Sequence, residues 1–156
     1  MSAARHTYFV TGYPGFIGKR LVKYIAEHDP HGRVYLLVQG KFLKEATQYA
    51  KGITGAPIEI LTGDVADMHL GLSGEEYARL CDEVTHIFHL AAISYLGMPR
   101  SVARRVNVDG TRNVLELGHD CVHLNRLNHF STCYVSGDRV GVIAEDELDL
   151  GQTFRN

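Results

Sequence analysis

Thr11-Gly12-Tyr13-Pro14-Gly15-Phe16-Ile17-Gly18 is the stretch whose reading decides the fold. It follows Tyr8-Phe9-Val10, an apolar run with the aromatic and β-branched character of a buried strand. It leads into Phe16 to Glu27, which reads as a helix with Ile17, Leu21 and Ile25 at helical spacing. Strand, glycine-rich turn, helix is the context in which a GxxGxxG spacing becomes a phosphate cradle. Gly12 can take a turn conformation that a Cβ would forbid. A residue without a side chain at Gly15 lets a pyrophosphate reach the backbone, and Gly18 lets the helix pack closely on the strand. The N–H groups and positive dipole end of the helix then face the anion. The bland alternative is a flexible turn with helix-packing glycines.

Downstream, strands and helices alternate. Asp29-Pro30-His31-Gly32 ends the first helix. Val34 to Val38 is continuously apolar, the mark of a strand buried on both faces of a parallel sheet. Phe42 to Lys51 is a weaker helix. Pro57 to Leu61 is a third strand, ending at Gly63-Asp64-Val65. Ser73 can cap a helix through about Cys81, with Glu75 and Glu76 in its first turn. His86 to Ala92 is a fourth strand, and Pro99 to about Leu117 a long helix. On it Ala103, Val106, Asn107, Gly110, Thr111 and Val114 share one small-residue face. Leu127 to Thr132 is a fifth strand. This alternation predicts an α/β fold, a doubly wound parallel sheet in the order 3-2-1-4-5. Ligands in such sheets bind outside the strand C-termini, at the switch point between strands 1 and 4. The glycine turn, Asp64, Ala91-Ala92 and Ser131-Thr132 all fall at that edge.

The 156 residues suffice for one domain with a core. A net charge of −2 excludes nucleic acid as the expected partner, and no apolar run reaches the about 18 residues of a membrane span. Arg5-His6 leads straight into a strand, unlike a signal peptide. Three scattered cysteines, Cys81, Cys121 and Cys133, read as free thiols in a reducing cytoplasm. Nine histidines complete no ligand set, so no metal is expected.

NAD-binding sheets of this kind place an acidic residue about 20 positions past the glycines, on the ribose 2′-hydroxyl. Here the second strand ends Val38-Gln39-Gly40-Lys41, with no carboxylate. Lys41, with Lys19 and Arg20, can instead surround a 2′-phosphate. The expected cofactor is NADP, with NAD possible; otherwise these cations are ordinary surface charges. Asp64 is placed to accept from an adenine amino group or, alternatively, to close the third strand in an Asx turn.

TGYPGFIG (Thr11 to Gly18), Gly63-Asp64-Val65, His89-Leu90-Ala91-Ala92 and Asn107-Val108-Asp109-Gly110-Thr111-Arg112-Asn113 resemble, in order and spacing, the signatures of the extended short-chain dehydrogenase/reductases. Together they cover nearly the whole chain. Val34 to Val38 and the segment Ser131 to Asn156 look most like the thioester- and fatty-acyl-reductase branch. Members of that branch often carry Arg where this chain has Gln39. The resemblance implies cofactor contacts from Thr11, Gly12, Tyr13, Gly15, Phe16, Ile17, Gly18, Gln39, Lys41, Asp64, Val65, Leu90, Ala91, Ala92 and Asn107; for Asn107 the favoured alternative is a structural role, pinning the fourth-strand backbone. It also implies hydride transfer between a nicotinamide and a thioester or carbonyl carbon. Thr132, with Ser131 next, matches the family hydroxyl that binds the substrate oxygen; strand-end capping is the alternative for both.

The family's Tyr and Lys occur as YxxxK, which is absent from this chain. The chain is therefore expected to be an N-terminal, incomplete Rossmann domain, lacking the later strands and a substrate domain, and open to self-association. A small-molecule carbonyl or thioester substrate belongs to the complete protein. A nucleotide-sugar epimerase or dehydratase shares every motif above. A non-catalytic dinucleotide-binding module accounts for the absent YxxxK.

Overall fold

The computed structural model describes residues 6–95 and 97–154. Five strands, β1 (Thr7–Thr11), β2 (Arg33–Val38), β3 (Ile58–Thr62), β4 (His86–His89) and β5 (Arg126–His129), form one parallel sheet ordered β3-β2-β1-β4-β5. This is the doubly wound order expected, with the reversal between β1 and β4.

Helices cover both faces because the central strands β1 and β2 are apolar on both. Along β1 and β2, Phe9, Tyr35 and Leu37 enter one core, where they meet Leu80, Ile87, Val114 and Leu117. Val10, Val34, Leu36 and Val38 enter the other, with Val22, Ile25, Ala26 and Ala46. Helices α1 (Phe16–His28) and α2 (Leu43–Ala50) close the second face. Helices α3 (Gly74–Glu83) and α5 (Gly110–Asp120) close the first.

Three local expectations are corrected. The buried face of α1 is Gly18, Val22, Ile25 and Ala26, while Ile17 is 55% exposed. Gly18 has to face the turn, since a Cβ there would lie 2.8 Å from the Gly12 carbonyl oxygen, and that rotates Ile17 outward. β4 stops at His89 and β5 at His129, short of Ala92 and Thr132. Thr11↔His89 and His89↔His129 are the last ladder pairs. The helix after Pro99 is not uniformly α: α4 (Arg100–Arg104) and α5 flank a π turn over Arg105–Asp109. Such insertions are frequent at functional sites. This one carries Asn107.

Gly110 opens α5 against Val65, whose Cγ2 would lie 2.9 Å from a Cβ. At α3, Ser73 and Glu76 form a capping box. Ser73 Oγ accepts the Glu76 N–H at 3.2 Å, and Glu76 Oε2 accepts the Ser73 N–H at 2.9 Å. Ser73→Ala is expected to cost about 1 kcal/mol, read as a lower urea midpoint at unchanged slope.

Candidate functional site

The glycine turn is built around one carbonyl. Gly12 has φ +81°, a left-handed conformation that disfavours any Cβ, and a Cβ there would lie 2.7 Å from the Leu90 carbonyl carbon. The Gly15 N–H donates to the Gly12 carbonyl oxygen at 3.0 Å. Cβ atoms at Gly15 or Gly18 would meet the same oxygen at 2.7 or 2.8 Å. Gly15 thus has a structural reason to lack a side chain besides the approach of an anion.

The turn delivers an open helix end. Gly15 is the N-cap of α1 and supplies no side-chain acceptor, and the first turn carries no acidic residue. Phe16 and Ile17 are exposed beside it. At α3, by contrast, Ser73 and Glu76 satisfy their own helix end. The first-turn amides of α1 and its positive dipole therefore face outward at the sheet's C-terminal edge, the arrangement that binds phosphate. The geometry fits a dinucleotide's pyrophosphate: the glycines press the turn against its own backbone and leave the α1 end without a side-chain cap. The Tyr13 ring is not part of that surface. It is 3% exposed and packs with Val10, Val22, Val38 and Ala46.

On the β2–β3 side, Gln39 Nε2 donates to Asp64 Oδ2 at 2.7 Å, and Asp64 Oδ1 accepts the Ala66 N–H at 3.0 Å. Asp64 thus closes the local turn and holds Gln39 together. Val65 is buried under Gly110, so its side chain is not in the crevice. Lys41 is exposed in a short 3-10 turn over Gly40–Phe42, immediately after β2. Lys19 lies over the Tyr49 ring and 3.8 Å from Glu45, and Arg20 packs on Phe16. Of the three cations, Lys41 is the one that follows β2 directly.

On the β4 side, Thr11 Oγ1 accepts the N–H groups of Leu90 at 3.2 Å and Ala91 at 3.1 Å. It also meets His89 Nδ1 at 2.8 Å, and His89 Nε2 meets Thr111 Oγ1 at 3.1 Å. Ala92 is exposed at the mouth of the same loop. Asn107 binds the Ile93 backbone twice, accepting its N–H at 2.7 Å and donating to its carbonyl at 2.8 Å. Ser131 and Thr132 are exposed past β5, and Thr132 Oγ1 accepts the Tyr134 N–H at 3.2 Å, capping the 3-10 turn Cys133–Ser136. Among the described residues no three His, Cys, Asp or Glu side chains are grouped to hold a metal, and no helix is long and apolar enough to cross a membrane.

His89 and Thr111 were not legible as site residues. His89 stands in the sequence as the first residue of the His89-Leu90-Ala91-Ala92 signature with no role of its own, and its signal is its place opposite Thr11 across the β1–β4 ladder.

The male sterility protein family model, an NAD-binding domain, matches residues 10–153. The chain belongs to that family. It is 27% identical to fatty acyl-CoA reductase 1 of Arabidopsis thaliana, over 95% of this chain and 35% of that protein. It is 30% identical to the putative fatty acyl-CoA reductase CG8306 of Drosophila melanogaster, over 82% of this chain and 28% of that one. The crystal structure of the terminal R domain from the myxalamid PKS-NRPS biosynthetic pathway aligns with a TM-score of 0.79 at 28% identity, over 94% of this chain and 40% of that domain. The chain thus spans about a third of the length of these curated relatives. An ADP-L-glycero-D-manno-heptose-6-epimerase of Helicobacter pylori, 18% identical with a TM-score of 0.69, shares the fold.

Burial, and then the neighbouring His129, depress the pKa of His89 from 6.5 to about 4. The unfolded chain therefore takes up this proton first. The His89 contribution to stability is complete above pH 6.5 and is lost as pH falls toward 4. Denaturant unfolding at pH 7 and pH 4.5 should differ by about 2 kcal/mol on this account. Equal stability at the two pH values contradicts it.

Proposed function

We propose that this chain is the cofactor-binding portion of an NADP-dependent reductase that transfers hydride to an acyl thioester or aldehyde. The observation that carries the reading is the cradle of Gly12, Gly15 and Gly18 around one carbonyl at the uncapped end of α1. It sits at the sheet's switch point, where such folds take dinucleotides. Similarity to fatty acyl-CoA reductases and to an R domain supports the thioester class.

In this reading Gly12 to Gly18 hold the pyrophosphate and Asp64 accepts from the adenine amino group. Gln39 and Lys41 face the adenosine 2′-position. A bound nicotinamide supplies the hydride. Leu90 to Ala92 line the second nucleotide's side, held by Thr11 and Asn107. The Thr132 hydroxyl, whose oxygen accepts from Tyr134, keeps its O–H to donate to a substrate oxygen, with Ser131 beside it. The Tyr and Lys that move the proton in this family are not among these residues. Three free cysteines, one of them exposed, fit a reducing compartment, and we place the protein in the cytoplasm.

Calorimetric titration tests the cofactor. NADPH is expected to bind about tenfold tighter than NADH, the scale of one charge-assisted contact. Lys41→Ala should erase most of that margin, and Gln39→Arg should widen it. Tighter binding of NADH overturns the NADP assignment and keeps the cradle. Saturable binding of neither, by the folded protein, overturns the reading.

A further inference from the structure

The loop after β4 is held in place by two side chains. Thr11, from the end of β1, takes the N–H groups of Leu90 and Ala91. Asn107, from the π turn, takes both backbone groups of Ile93. One buried imidazole joins the two holders. His89 is 1% exposed and meets Thr11 Oγ1 through Nδ1 and Thr111 Oγ1 through Nε2. The Thr111 hydroxyl in turn donates to the Asn107 carbonyl oxygen at 2.8 Å.

Proton counting leaves this chain one arrangement. The Asn107 carbonyl has no hydrogen, so the single Thr111 proton goes to it. Thr111 oxygen must then accept from His89, which places the imidazole proton on Nε2. Nδ1 is bare and accepts the Thr11 O–H. That leaves the Thr11 lone pairs for the two backbone N–H groups of Leu90 and Ala91. A neutral imidazole in this tautomer satisfies all the partners at once. A phenyl ring of similar volume satisfies none of them.

The division of the edge gives the relay its consequence. If the glycine turn takes the pyrophosphate, the β2–β3 side with Gln39 and Asp64 takes the adenosine. The β4 side, with residues 90–93, is left for the other nucleotide. We infer that His89 is a positioning residue that locks the loop after β4 to both the glycine turn and the π turn, and so sets the affinity for the nicotinamide half of the cofactor. His89 itself does not touch the ligand. The inference rests on the dinucleotide reading above. It differs from a packing role for a buried histidine in one respect: it predicts damage to one half of the site.

The test compares two probes on the purified protein by calorimetry: the tighter-binding of NADPH and NADH, and 5′-AMP, which occupies the adenosine side alone. His89→Phe should weaken the dinucleotide by about tenfold, the scale of one or two hydrogen bonds, and leave 5′-AMP within about twofold. His89→Asn, whose side-chain oxygen can still accept from Thr11, should lose less. Thr111→Val cuts the far link at constant shape and serves if His89→Phe does not fold. It should shift the dinucleotide in the same direction and not 5′-AMP. Unchanged dinucleotide affinity in folded His89→Phe or Thr111→Val overturns the inference. So does an equal loss for both probes, which marks a general loosening of the core. If the unsubstituted protein binds neither probe, the dinucleotide reading itself falls, which is a different result.

Discussion

The passage of Gly12 beneath the Leu90–Ala91 peptide is the contact on which the sheet's functional edge depends. At 2.7 Å from a would-be Cβ to the Leu90 carbonyl carbon, only glycine fits. That approach lets Thr11, one residue earlier, reach the Leu90 and Ala91 amides as β4 leaves the ladder. It also turns the Gly12 carbonyl toward Gly15 and Gly18, which fixes the start and direction of α1. Strand end, turn, helix axis and the loop after β4 are thus consequences of one close approach.

The electrostatics follow from the same geometry. A helix beginning on glycines that surround a backbone carbonyl has no room for a capping side chain, so its amides stay directed at the crevice. An ordinary helix start stands 58 residues later in α3, where Ser73 and Glu76 close the end internally. The polar groups at the bottom of the crevice are settled among themselves. Asp64 holds Gln39 and Ala66, and His89 links Thr11 to Thr111. A preformed surface of this kind lowers the ordering cost of binding.

Much of this was legible in the residues. The continuous apolar run Val34 to Val38 marked a doubly covered strand, and the glycine spacing with its flanking strand and helix marked the turn. Strand order followed from alternation and the chirality of crossovers. What was not legible depends on contacts between distant segments. Tyr13 belongs to the core because α2 packs above it, and nothing in TGYPGFIG says so. Ile17 turns outward because Gly18 is needed inward. The π turn has no local signature; it carries Asn107, whose side chain binds the Ile93 backbone far along the chain. Asp64 could be read as a ligand acceptor or as a turn closer, and it makes the turn contact without giving up its place at the edge.

On the proposed reading a dinucleotide lies along this edge, from the glycine turn across to the loop after β4. Amide chemical-shift mapping by heteronuclear NMR reads it directly. On adding NADPH, the largest shifts should fall on Gly12, Gly15 to Gly18, Asp64 and Leu90 to Ile93, and Lys23, Tyr49 and Gly52, in the groove between α1 and α2, should stay still. Shifts centred on the groove between α1 and α2, around Lys23, Tyr49 and Gly52, with a silent glycine turn, would contradict it.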